Sequence, residues 1–312
     1  MQLVALIPFS SGQPDLRSGC PRTLRPAIPI ERCTYTFYVS TTGSDFNTGK
    51  SIQLAWRTLA RVNTEWLKPG ACVYLQGSST FFGQLKFAPG DAGNPSLRVT
   101  IGSYGRGRAV IASGNLDAIV VYNTAGIVIQ DLDIYGSGST RNEASGVLVY
   151  TNLPRRKLDG VTVQRVDASQ YGVAGITVNS RATDGSKTGF SNVLIQDACA
   201  HDNAEAGVHT HGLLNVRSTE YSHHNIRILR VHAFQNKGSP SKTYTNTGSG
   251  ICVSDVQGAV IENCKAYRNG ELNSSPNSGP IGIWAYDANN VVIQHCESYM
   301  NRSGNQRTDG MS

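Results

Sequence analysis

The sequence predicts an all-β solenoid, short strands stacked rung on rung, with an amphipathic helix covering the N-terminal end. Three observations carry this. First, AVIENCKAYRN (Ala259 to Asn269) recurs as VVIQHCESYMN (Val291 to Asn301), 32 positions later. Second, four earlier copies precede them: GIVIQDLDIYGS from Gly126, GVTVQRVDASQY from Gly160, NVLIQDACAHDN from Asn192 and NIRILRVHAFQN from Asn225. Their anchors, Ile129, Val163, Ile195, Ile228, Ile261 and Ile293, are spaced 34, 32, 33, 33 and 32 residues apart, a period that marks a repeat architecture. Third, the apolar residues alternate over short β-branched runs, as strands require, rather than at helical spacing.

Each unit adds a second strand opened by glycine: GVLVY at Gly146, GITVN at Gly175, GVHTH at Gly207, GICVS at Gly250 and GIWAY at Gly282. Stacking then pairs each strand with its copies above and below, about 4.8 Å away. Three residues past each anchor lie Leu132, Val166, Ala198, Val231, Cys264 and Cys296, an inward column. Cys264 and Cys296 are expected there as unreactive free thiols, because parallel side chains suit a disulfide poorly. Eight residues past the last four anchors lie Asn203, Asn236, Asn269 and Asn301, amides that can hydrogen-bond along the stack.

The front of the chain reads differently. Residues 1–35 are rich in Pro, Arg and Ser without a period and are expected to be a leader or an unpacked segment. TFYVSTTGSDFNTG (Thr36 to Gly49) reads as a strand and turn. AWRTLARVNTEWLKPGACVYLQG (Ala55 to Gly77) reads as a helix with Trp56, Leu59, Val62 and Trp66 on its apolar face, then a strand after Pro69-Gly70. These make a cap over about 36–77, with rungs from about 97 to 312, Leu97 to Gly114 being the first and irregular. Asp309-Gly310-Met311-Ser312 falls where another Gly-opened strand should begin, so the sequence is expected to be truncated at its C-terminal end.

The repeats and the front together resemble the right-handed parallel β-helix proteins of the pectate-lyase-like superfamily, over roughly residues 36–312. The resemblance implies one β-helix domain that is secreted or displayed at the cell surface. It implies action on a polysaccharide by β-elimination or by hydrolysis. A non-catalytic carbohydrate-binding or structural surface protein is the alternative. A polysaccharide or oligosaccharide is the expected partner, and the chain is expected to be monomeric.

Composition excludes other classes. The net charge is +6, with 16 Lys+Arg against 10 Asp+Glu in residues 1–160 and 12 of each in 161–312. There is no basic run, zinc-finger spacing or RNA-binding signature, so no nucleic-acid partner is expected. No apolar run approaches 18 residues, so no membrane span is expected. Seven cysteines without a C-x-x-C define no pairing.

On the Gly-opened strands, the outward column reads Leu148, Thr177, His209, Cys252, Trp284. Two residues on it reads Tyr150, Asn179, His211, Ser254, Tyr286, followed by Asp255 and Asp287. Aromatic, imidazole, amide and carboxylate groups on one face suit sugar stacking and hydroxyl hydrogen bonds, although a solvated face with a few aromatics has the same pattern. His209, His211, Asp255 and Asp287 are the candidate catalytic residues, and Asn179, Trp284 and Tyr286 the candidate substrate-binding ones. HDNAEAGVHTHG (His201 to Gly212) is the densest ionisable stretch, with His201, Asp202 and Glu205 beside the two histidines as candidate base, acid or metal ligand; polar residues exposed beside a turn are the favoured reading there. Lys237, Lys242, Lys265 and Arg217 are bases a lyase could use, but none stands in a recognisable motif.

Asp131, Asp133 and Asp167 are candidate metal ligands, with calcium the cation that such oxygen clusters prefer. The neighbouring column, Asp131, Arg165, Asp197, Arg230, alternates in charge and compensates the carboxylates without a metal. No cofactor is otherwise called for.

Overall fold

The computed structural model describes residue 20 and residues 33–214, 219–276 and 279–303. It is a parallel β-helix with three strand faces. The first face stacks Tyr35–Val39, Ala71–Gln76, Val99–Tyr104, Ile127–Gly136, Lys157–Ser169, Gly189–Gln196 and His223–Leu229, then the later parts of Ser249–Glu262 and Ile283–Gln294. All pairings are parallel, and the register aligns one inward residue per rung: Phe37, Val73, Ile101, Ile129, Val163, Ile195, Ile228, Ile261, Ile293. The six sequence anchors are therefore one ladder, and it extends three rungs further toward the N-terminus.

The second face carries a ladder of small residues, Ala168, Ala200, Ala233 and Ala266, stacked in register. Opposite it run the glycines that open the third-face strands. A Cβ on Gly207 would lie 2.8 Å from the Cβ of Ala233, and one on Gly250 would lie 2.7 Å from that of Ala266. The two faces approach closely there, and a side chain in place of either glycine has no room beside the alanine.

Each rung turns between its first and second faces through a left-handed residue: Asp131, Arg165, Asp197, Arg230, Asn263 and His295 all have φ between 51° and 55°. Asp and Asn tolerate this conformation best. The arginines are compensated by bonds along the stack, Arg165 Nε to Asp131 at 2.7 Å and Arg230 Nε to Asp197 at 2.6 Å. Behind the next bend lies the asparagine ladder. Asn203 donates to Asn236 at 3.0 Å, Asn236 to Asn269 at 3.0 Å and Asn269 to Asn301 at 2.8 Å, all four being buried.

Three expectations about the front need correction. The predicted helix is a single turn, Leu59–Val62, capped by Thr58, whose side chain accepts from Arg61 N–H. Leu59 and Val62 are buried, but Trp66 lies beyond the helix and is 68% exposed. Trp56 precedes the helix and is fully buried, stacked on Phe37 at 4.7 Å with Arg61 over its ring. The supposed cap also contains solenoid strands, since Tyr35–Val39 pairs with Ala71–Gln76 and the latter with Val99–Tyr104. The boundary at residue 35 falls inside the first strand. Disulfides join Cys33 to Cys72 and Cys20 to Cys199. The remainder of the leader, and the Asp309 to Ser312 end, lie outside the described residues. Among the described residues no helix is long and apolar enough to cross a membrane.

Candidate functional site

The third face stacks Leu85–Phe87, Ile119–Tyr122, Val147–Thr151, Ala174–Ser180, Ala206–His211 and the first parts of Ser249–Glu262 and Ile283–Gln294. Leu148, Thr177, His209, Cys252 and Trp284 pair in sequence along it, as do Tyr150, Asn179 and His211, with Tyr286 stacked on Ser254. Alternation puts these side chains outward while Val147, Ile176, Val208 and Ile251 fill the core.

This face is the floor of a cleft of about 790 Å³. Its walls are Glu205 and a loop that crosses from the second-face strand His232–Phe234 to Ser249, contributing Ser241 to Asn246. Asn179, His209, His211, Trp284 and Tyr286 all line it. Trp284 and Tyr286, two residues apart on one strand, stack at 4.6 Å. The imidazoles of His209 and His211 lie 5.6 Å apart. Burial, and then the neighbouring His211, push the His209 pKa down to about 4; burial also lowers that of His211, against the pull of Asp255. Both rings are thus neutral near pH 7, each able to donate from one nitrogen and accept at the other.

Several polar atoms of the cleft have no partner in the protein: Asn179 Oδ1, Trp284 Nε1 and both Oδ1 and Nδ2 of Asn246. They are four of the seven such buried side-chain atoms among the described residues. Leaving a buried polar group unpaired costs about 1–3 kcal/mol, so their concentration in one cleft points to a hydrogen-bonding ligand.

Other candidates are placed elsewhere. Asp255 is 1% exposed and does not line the cleft; it takes the left-handed bend (φ 55°), and Lys187 Nζ lies 2.7 Å from its Oδ1. Asp287 occupies the equivalent bend one rung on (φ 45°) and is not among the lining residues. The paired columns end with the strand, and at Asp255 and Asp287 alternation gives way to a turn. Glu205 is the carboxylate that reaches the cleft, ion-paired with Lys242 from the loop. Loop residues such as Asn246 have no place in the repeat, and periodicity gave no signal for them. Lys265 pairs with Glu297 at 2.8 Å, and Arg217 lies outside the described residues.

The three candidate metal ligands diverge onto three cations. Asp131 holds Arg165, Asp133 lies 3.3 Å from Arg108, and Asp167 lies 2.8 Å from His201. His201 also bonds Asp202 at 2.7 Å, so both ring nitrogens face carboxylates. Burial opposes its charge, but these hydrogen bonds outweigh it and lift the pKa to about 9. Cys20, which lies near Asp167 and His201, is already bonded to Cys199.

Comparison with known proteins agrees with this architecture. Over 198 residues, 54% of its length, the chain is 27% identical to a lacto-N-biosidase of Bifidobacterium longum subsp. longum, of which it spans 12%. In structure it matches a GH136 lacto-N-biosidase from Eubacterium ramulus with a TM-score of 0.64 and 15% identity, over 89% of this chain and 54% of that one. The chain shares that enzyme's β-helix fold. Pectate lyase Pel9A aligns with a TM-score of 0.48 and 12% identity, over 86% of this chain and 80% of that one. No known family profile matches the chain. The chain spans only about half the length of the solved relative and far less of the curated one.

Proposed function

We propose that the chain binds an oligosaccharide in this cleft and that the reaction served there is hydrolysis of a glycosidic bond, in a secreted protein. The observation that supports it most is the gathering of unpartnered buried polar atoms on Asn179, Asn246 and Trp284, beside an aromatic pair and two neutral imidazoles. That set hydrogen-bonds hydroxyls and packs against pyranose carbons. A lyase acting on uronates needs cations to neutralise the substrate carboxylate, whereas the lysine of this cleft, Lys242, is paired with Glu205. The likeness to lacto-N-biosidases supports hydrolysis and suggests a lacto-N-biose-terminated oligosaccharide as first substrate to try. In this reading Glu205 serves as an acid or base, while His209 and His211 bind hydroxyls. Two disulfides suit an oxidising, extracellular setting.

One observation favours a second reading, glycan binding without catalysis: hydrolysis normally uses two carboxyl groups, and Glu205 is the one carboxylate among the described lining residues. The test is incubation with lacto-N-biose-terminated oligosaccharides and with polygalacturonate. Hydrolysis predicts new reducing ends from the neutral substrate without unsaturated product, abolished in Glu205→Gln while binding persists. Binding with no product from any substrate supports the second reading. Unsaturated product, or no binding at all, would overturn the proposal.

A further inference from the structure

We infer that Asn246 is a specificity-determining residue that reads two adjacent free hydroxyls of a neutral pyranose; this rests on the reading of the cleft as a glycan site. The loop that carries it is fixed at its base. Gly238 N–H donates to Ala204 O at 2.8 Å, Ser239 N–H to Thr247 Oγ1 at 3.0 Å and Gly248 N–H to Glu205 O at 2.7 Å. Thr247, next to Asn246, is fully buried. Nearer the tip, Lys242 is tied to Glu205 across the cleft wall. Asn246 is therefore held on an anchored segment of the cleft wall, and both its amide atoms are buried and unpaired.

The chemistry of that amide selects the ligand. A primary amide presents an acceptor oxygen and a donor NH₂ side by side in one plane. Because both are free, the argument is the same whichever way the amide is turned. Two neighbouring hydroxyls match it, one donating to Oδ1 and the other accepting from Nδ2. A carboxylate satisfies the NH₂ but opposes Oδ1, since an ionised carboxylate only accepts. Asn179 Oδ1 adds an acceptor and Trp284 Nε1 a donor to the same cleft. The set matches neighbouring sugar hydroxyls, and the lysine of the cleft wall is already paired with Glu205 rather than left for a uronate's carboxylate. Rejecting a ligand that lacks one matching hydroxyl is a strong form of selectivity, because the site's buried group is then left unpaired.

The experiment titrates the parent, Asn246→Leu and Asn246→Asp with lacto-N-biose and its monodeoxy analogues by protein-detected NMR, with thermal unfolding of each variant alongside. Both variants are expected to bind lacto-N-biose about tenfold more weakly or worse. Each of the two monodeoxy analogues that lack one of the paired hydroxyls should narrow the gap between the parent and Asn246→Leu, since one of the two contacts is then already lost, while the other analogues leave the gap unchanged. Asn246→Leu should keep or raise the melting temperature, because the amide has no partner to lose. Parent-like binding by Asn246→Leu overturns the inference, as does an equal loss for every analogue. If the parent binds neither lacto-N-biose nor a panel of neutral methyl glycosides, the glycan reading of the cleft falls, and this inference with it. Binding of the parent combined with indifference to Asn246 removes the inference alone.

Discussion

Lys187 sets its ammonium 2.7 Å from Asp255 Oδ1, 68 residues away in sequence, with both side chains buried. Lys187 also donates to Leu213 O at 2.6 Å, and Asp255 accepts from Ser222 N–H at 2.9 Å. The pair thus fastens two points of the segment that leaves the cleft strand after His211. Lys187→Met strands a buried carboxylate and is expected to cost about 3–5 kcal/mol, whereas Lys187→Met with Asp255→Leu should lose much less. Urea unfolding of the two variants checks this; equal losses would show that packing, not the ion pair, is what matters.

His201 makes stability depend on pH on the alkaline side. Its folded pKa of about 9 lies above the ordinary 6.5, because Asp167 and Asp202 hold its charge. The folded state therefore binds more protons between those values, so this stability is whole below pH 6.5 and disappears as pH rises to about 9. The loss is up to about 3 kcal/mol. His209 and His223, both pushed to about 4 chiefly by burial, act oppositely: their contribution is whole above pH 6.5 and falls away as pH drops toward 4. His201→Gln should flatten the alkaline decline in unfolding free energy and leave the acid limb alone. An unchanged alkaline limb would refute the assignment.

Much of this was legible in the sequence because a solenoid repeats its physics. Ile129 to Ile293 and Asn203 to Asn301 stand at one period because each must meet its own copy, so register followed from spacing. The outward column from Thr177 to Trp284 followed from alternation on a strand. Where the repeat ends, so does the signal. Asp255 and Asp287 continue the column in sequence but occupy left-handed bends. Trp66 fits a helical face, yet the chain leaves the helix at Asn63 and bonds Trp66 Nε1 to Gly90 O. The partners of Cys20 and Cys33 lie 179 and 39 residues away and obey no period. Asn246 lies in the connection from Phe234 to Ser249, and such connections change length from rung to rung and so obey no period.

The free thiols should differ in reactivity, contrary to the expectation that Cys264 and Cys296 are alike. Cys264 is buried, and its hydrogen bond with Cys296 and its burial raise its pKa. Cys296 is half-exposed, and the same bond lowers its thiol pKa. Burial raises the Cys252 thiol as well. A thiolate is the reacting form, so a thiol reagent in native buffer should label Cys296 quickly and Cys252 and Cys264 only on unfolding. Rapid labelling of Cys264 would place the inward column out of register.

The cleft makes a separable prediction about Trp284. Its ring stacks on Tyr286 at 4.6 Å, and its Nε1 is buried without a partner. Trp284→Phe keeps an aromatic surface but removes the N–H. Nothing in the protein depends on that N–H, so fold stability should change little, while glycan binding should weaken by about 0.5–1.5 kcal/mol. Trp284→Ala removes the surface too and should weaken binding by about 1–3 kcal/mol. Trp56 is buried in the front of the solenoid and Trp66 is exposed outside the cleft, so a fluorescence change on adding glycan should vanish in both variants. Graded losses, Phe less than Ala, place the sugar against the indole and its N–H together. Parent-like binding by both variants would mean that the glycan lies along another part of the solenoid.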